Sequence, residues 1–205
     1  MKDKKKIIIT VIVLLIIIIA IVLAFKFFKK EENREVTNKT TVMNSIETYG
    51  YTLDDRDSDL YKNKFEQLQK LLETEDYDIE EYISLISEMY IIDFFSLANK
   101  VSKYDVGGME FVHSTAYDSL LAKTLDTLYK YVNDNSYGDR IQELPTVNKV
   151  EVIRIAKDTY SLNNSNVVSY KVDLEWNYEK ELGYQKSGTL TFIQEDFKYA
   201  VIAFQ

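Results

Sequence analysis

The sequence predicts an α+β fold: an N-terminal transmembrane helix, then about three helices packed on an antiparallel sheet of about four strands. Three observations predict it. An unbroken apolar run opens the chain, apolar residues recur at helical spacing through its middle, and strict alternation takes over in its last third. With 205 residues, 46% of them hydrophobic, there is room for one membrane element and one domain with a real core.

Ile7 to Phe25 is a run of 19 residues in which Thr10 alone carries a polar side-chain group. As a helix rising ~1.5 Å per residue it reaches about 28 Å, close to the ~30 Å hydrocarbon thickness of a bilayer. A cleaved leader has a shorter apolar region, about 7–15 residues, and small residues two apart ahead of the cut. Here Ala20 and Ala24 are four apart and Phe25, Lys26, Phe27 and Phe28 follow, so the segment is expected to stay as an anchor. The expected organisation is a basic cytoplasmic tail over 1–6, a lipid-spanning anchor over 7–28 that includes Ile7, Leu15, Ile18 and Phe25, a tether over 29–44, and an extracytoplasmic domain over 45–205. Lys2, Lys4, Lys5 and Lys6 before the run nearly balance Lys26, Lys29, Lys30, Arg34 and Lys39 after it. The compact basic segment leading directly into the run decides for the amine end inside the cell membrane and the domain outside, as export signals are built.

Seven lysines and one aspartate fall in residues 1–30, which leaves 18 basic and 32 acidic side chains, a net −14, for residues 31–205. Such a domain repels polyanions, whose binding depends on clustered Lys and Arg, so nucleic acid is not an expected partner. Cysteine is absent, which removes disulfides, thiolate chemistry and an N-terminal lipid attachment. The 16 tyrosines accompany abundant Ile, Lys and Asn with one Pro and six Gly, a bias of coding composition that does not itself mark a binding surface.

Within the domain, Asp54 to Leu72 places Leu60, Tyr61, Phe65, Leu68, Leu71 and Leu72 on one helical face. Asp78, with Glu81 three residues on, caps a second helix drawn to Lys103, and its middle, MYIIDFFSLA, is apolar nearly all round, as in a helix covered on more than one side. Thr115 with Asp118 caps a third, drawn to Val132. In SYKVDLEWNY, Tyr170, Val172, Leu174, Trp176 and Tyr178 face one way and Lys171, Asp173, Glu175 and Asn177 the other, a half-buried strand. Val147–Lys157, Lys186–Gln194 and Tyr199–Phe204 read as its companions, and the short connections force a meander.

The buried helix YISLISEMYIIDFFSLANK, the following YDVGGMEFV and the late alternating strands together resemble the nuclear transport factor 2-like fold over about Thr48 to Gln205. That resemblance implies a curved, cone-like sheet whose concave face is closed by the helices. An anchor followed by such a domain is similar to the ectodomains of assembly components in bacterial type IV secretion and conjugation machines, and to envelope proteins of Gram-positive bacteria. No residue signature carries a functional site across.

Asp55, Asp57, Asp59 and Glu66 fall at positions 1, 3, 5 and 12 of a calcium-loop pattern, but Leu60 stands where glycine is needed and Lys62 where an apolar residue sits. The plainer reading is an acidic first helical turn, and no metal or other cofactor is expected. Asp93 is the candidate ligand-binding residue: a carboxylate inside YIIDFFSL must find a partner, sit at a solvent edge, or line a pocket. A Tyr hydroxyl or Arg154 is the expected partner. His113, the one histidine, is expected to pack a loop, Gly107-Gly108 to cap and reverse the chain after Lys103, Trp176 to lie in the core, and Pro145 to mark entry into the sheet. No catalytic residue is assigned. The expected function is therefore a membrane-anchored, non-catalytic envelope protein whose acidic ectodomain assembles with a protein partner or with itself. A small-ligand or enzymatic pocket built on Asp93 is the alternative.

Overall fold

The computed structural model describes residues 15–23 and 37–205. The chain divides into two compact units, 1–37 and 38–205. In the first, residues 15–23 are helical and every one of them is exposed, Leu15 and Ile18 each 54%. These nine residues span about 14 Å as a helix. Among the described residues no helix is long and apolar enough to cross a membrane. Ile7 and Phe25, the basic tail 1–6 and most of the expected anchor and tether lie outside the described residues.

The second unit opens with a hairpin that the sequence reading missed. Strand β1 (Val42–Ile46) pairs antiparallel with β2 (Tyr51–Asp54), where a tether and then a helix from Asp54 were expected. Each strand is too short to show a convincing period, yet β2 buries Tyr51 and Leu53 on one face. Gly50, at φ 71°, supplies the left-handed turn residue between them. Helix α1 consequently starts late, at Asp59, and runs to Leu72; the Ser58 hydroxyl accepts from the Tyr61 N–H, and Tyr61, Phe65 and Leu68 are buried.

Helix α2 (Ile79–Phe95) begins as expected, the Asp78 carboxylate accepting from the Glu80 and Glu81 N–H groups. It buries residues on nearly every side because it lies against both α1 and the sheet. It stops eight residues short of Lys103. Ser96 leaves helical geometry, and its hydroxyl accepts from the Val147 N–H at 3.1 Å, so the helix end is tied to the first residue of the sheet. A 3-10 turn (Met109–Phe111) precedes helix α3 (Ser114–Asp126). Its cap is His113, not Thr115: imidazole Nδ1 accepts from the Thr115 N–H at 3.2 Å. Leu128 falls in a turn beyond its end, and Val132 lies past that turn.

Strands β3 (Val147–Leu162), β4 (Ser165–Tyr178), β5 (Ser187–Glu195) and β6 (Lys198–Phe204) form the expected antiparallel meander in the order β3-β4-β5-β6. The alternation in β4 holds, with Tyr170, Val172, Leu174, Trp176 and Tyr178 all buried. Irregular register at Val147/Lys149, Val152/Arg154 and Thr191/Phe192 marks bulges, which bend strands and curve the sheet. Both β3 and β4 run longer than expected because Asn163 and Asn164, at φ 51° and 64°, make a tight turn of the kind that matches strand twist. Trp176 is core: its ring meets Phe95 of α2 at 4.7 Å between centroids, and its Nε1–H donates to the Tyr178 hydroxyl. Helix α2 thereby anchors the helical layer on the sheet, and its last turn, carrying Asp93, is fixed by the same packing.

Candidate functional site

The end of β2, the last turn of α2 and the segment from Asn99 to Glu110 enclose a polar pocket of about 180 Å3. Its lining carries five carboxylates, Asp54, Asp57, Asp93, Asp105 and Glu110, against two cations, Arg56 and Lys100. Three of these groups arrive on a segment that doubles back from α2, so sequence spacing could not have assembled them.

Asp93 is half-buried, with 16% of its side chain exposed, and faces inward. Its partners are neither a tyrosine hydroxyl nor Arg154. Oδ1 accepts from Lys100 Nζ, seven residues on, and Oδ2 accepts from the Gly108 N–H. Arg154 instead bonds Asp173 across the β3-β4 pair. Lys100 is 6% exposed at the side chain, so this ion pair sits where unpaired charge is costly.

The Gly107-Gly108 pair serves this contact rather than capping α2. Gly108, at φ 73°, turns the chain so that its N–H meets Asp93. Gly107 lies directly on α2, where an added Cβ would overlap the Asp93 carbonyl and come within 2.7 Å of its carboxyl carbon. Buried Tyr129 holds the pair in place: its hydroxyl accepts from the Gly107 N–H at 3.0 Å and donates to the Phe94 carbonyl at 2.9 Å. Gly107→Ala is therefore expected to lower stability by about 2 kcal/mol through overpacking against backbone. Chemical denaturation measures this, and a loss below about 0.5 kcal/mol would show that the segment yields freely.

The second cation is also committed. Arg56 bonds Asp105 Oδ2 at 2.9 Å and the Asn99 carbonyl, while the Val101 N–H donates to the same Asp105 oxygen at 2.8 Å. Burial alone would raise the Asp105 pKa, but the Val101 and Arg56 bonds outweigh it and hold the carboxyl below its usual range. The other carboxylates go the opposite way. Burial first, and the Asp93 charge second among the raising causes, push Glu110 up to about 7 and Asp57 up to about 6; Asp54 is raised by the same two causes. Glu110 is held by the Thr52 N–H and hydroxyl and by the Tyr61 hydroxyl, and Asp57 accepts from the Asp54 N–H at 2.7 Å. Asp54 Oδ1 and Asn99 Oδ1 are buried without a partner among the described residues, as is the Arg56 Nε–H.

The calcium pattern does not assemble. Asp57 turns into the pocket, Asp55 accepts from the Thr41 N–H, and Asp59 and Glu66 stay on the exposed side of α1. Among the described residues no three His, Cys, Asp or Glu side chains come together as a metal site. His113 lies away from the pocket lining, 3.8 Å from Glu195. A second opening, about 370 Å3 and mainly apolar, lies between α3 and the end of β6, lined by Leu120, Leu128 and Phe204 among others. It is larger, but it lacks the convergent polar groups that fix a ligand's orientation, so the Asp93 pocket is the better candidate. No protein-family model, curated protein or solved structure matches the chain.

Proposed function

We propose that the protein is a single-pass membrane protein whose acidic domain is a non-catalytic binding module held outside the cytoplasm, with the Asp93 pocket as its recognition site. One observation carries the recognition site: five carboxylates and two cations converge on one cavity from three separate segments. Structural ion pairs account for Asp93 with Lys100 and Asp105 with Arg56, and leave Asp54, Asp57 and Glu110 without a balancing charge. Carboxylates whose pKa values are raised by burial and by a neighbouring charge, gathered in one cleft, are typical of functional sites. Melting the detergent-solubilised full chain with small cationic, anionic and neutral compounds tests this. Stabilisation limited to one class supports the pocket, and no stabilisation by any class removes it.

The anchor part of the proposal rests on the 19-residue apolar run and on the nine helical residues 15–23, all apolar and all exposed. The cysteine-free chain offers a direct test of sidedness. Ile141 is fully exposed, so an Ile141→Cys variant is expected to react with a membrane-impermeant maleimide in intact cells. Labelling only after lysis would place the domain inside. The nuclear transport factor 2-like reading and a Gram-positive bacterial source belong to the same proposal. Helices preceding a bulged four-stranded meander support the first, and the resemblance of the chain's layout supports the second.

Assembly through protein contacts is the second reading, favoured by the β3-β4 hairpin. β4 pairs with β5 only from Ser169 onward, so the segment from Thr159 to Val168 is a two-stranded arm with Val168 half exposed. Such arms are ready partners for another strand. Crosslinking from the arm in living cells is expected to yield a discrete adduct, and a domain that stays uncrosslinked would count against assembly through this surface.

A further inference from the structure

We infer that the Asp93 pocket takes a primary alkylammonium group, bound through its three N–H donors to the free oxygens of Asp54 and Asn99 and to Asp57. This inference rests on the pocket reading proposed above and adds the class of ligand.

Both cations in the lining are already bonded to carboxylates, Lys100 to Asp93 and Arg56 to Asp105, and the Arg56 Nε–H that is left over is outnumbered by five carboxylates that repel an anion. On the acceptor side there is a surplus. Among the described residues Asp54 Oδ1 and Asn99 Oδ1 are buried without partners, and Asp57 has one of its oxygens bonded, to the Asp54 N–H. A buried acceptor without a donor is costly, so a ligand here gains by bringing N–H or O–H groups, and the excess of carboxylates favours one that brings positive charge. An ammonium does both. Among the described residues no three His, Cys, Asp or Glu side chains come together as a metal site. A quaternary ammonium brings charge without donors and is bound by cages of aromatic faces, whereas Tyr61 is the single aromatic side chain in this lining. The cavity of about 180 Å3 has room for the ammonium end of a chain with a few carbons, and not for a large rigid ligand.

Burial of Glu110 and Asp57 fits this chemistry. Both are poised to be protonated near neutrality when the pocket holds no cation, and a bound ammonium would keep them ionised.

The same chemistry has two sources, a free diamine or the side chain of a lysine in a polypeptide. Calorimetric titration of the full chain in detergent micelles uses cadaverine for the first and Nα-acetyl-lysine methylamide for the second. Tetramethylammonium, glutarate and calcium chloride are the comparisons. The expected result is binding of at least one primary amine, about tenfold or more tighter than tetramethylammonium. The tighter of the two amines identifies the source. Asp54→Asn, whose free oxygen holds up nothing in the fold, is expected to weaken that amine by about tenfold. Tetramethylammonium binding as well as the amines, or Asp54→Asn leaving amine affinity unchanged, overturns the inference. Binding of glutarate or calcium with no amine bound also overturns it and leaves the pocket reading standing. No binding by any of the five removes both.

Discussion

Lys100→Met is expected to destabilise the domain by about 4 kcal/mol, the range seen when one partner of a buried ion pair is removed. Lys100 is 6% exposed at its side chain and Asp93 16%, so the carboxylate left behind keeps only the Gly108 N–H and faces Asp54 and Asp57 without a cation of its own. For a domain of this size the melting temperature should fall by about 8–16 °C. Calorimetric or circular-dichroism melting of the full chain measures it. Because the cost comes from the orphaned charge, Asp93→Asn in the Lys100→Met background should recover a large part of the loss. A single variant that melts within about 2 °C of the wild type would show that the ion pair is open to water.

The second large effect is an inverted dependence on pH. Glu110, up at about 7, and Asp57, up at about 6, hold their protons more tightly in the folded chain than in the unfolded one, where a glutamate titrates near ~4.3 and an aspartate near ~3.9. Where the folded state binds more protons, stability falls as pH rises. The decline therefore starts at about pH 4, runs through about 7 and levels off above it. The groups facing the pair are Asp54, Asp93, Asp105, Arg56, Lys100 and Tyr61. Of these, Asp105 is held low, so its contribution is present at neutral pH and is lost only below about 4. Maximum stability is expected near pH 4. Glu110→Gln, which keeps an acceptor for Thr52 and removes the charge, should raise stability at pH 8 by about 2–3 kcal/mol more than it does at pH 5. Urea melts at the two pH values decide this, and stability that rises from pH 5 to 8 would contradict it.

The sheet was legible in the sequence because β4 buries one face and wets the other, so Tyr170 to Tyr178 alternate without exception and register follows. Helix α2 was legible for the opposite reason, being apolar all round, and its start was marked by Asp78. Its end was not, since the break at Ser96 depends on a hydrogen bond to Val147, 51 residues away. The β1-β2 hairpin was hidden by its shortness, and the Asn163-Asn164 turn carries β3 and β4 beyond the stretch where apolar alternation marks them. Of the site, only Asp93 was visible, as a carboxylate in an apolar helix. Glu110 meets Thr52 across 58 positions and Arg56 meets Asp105 across 49, separations that no local pattern encodes. Lys100, one heptad after Asp93, was within reach of the sequence, but the end of α2 had to be placed before that spacing meant anything.

If the excess carboxylates of this pocket await a cation, their own titration reports it. In the full chain labelled with carbon-13 at Asp and Glu carboxyls, Glu110 is expected to titrate near 7 and Asp57 near 6 without ligand. A saturating primary amine should move both downward, because a ligand that prefers the ionised pocket must, by linkage, ease its ionisation. Glu110 and Asp57 titrating in the ordinary carboxylate range, or holding their midpoints when the amine is added, would contradict the claim.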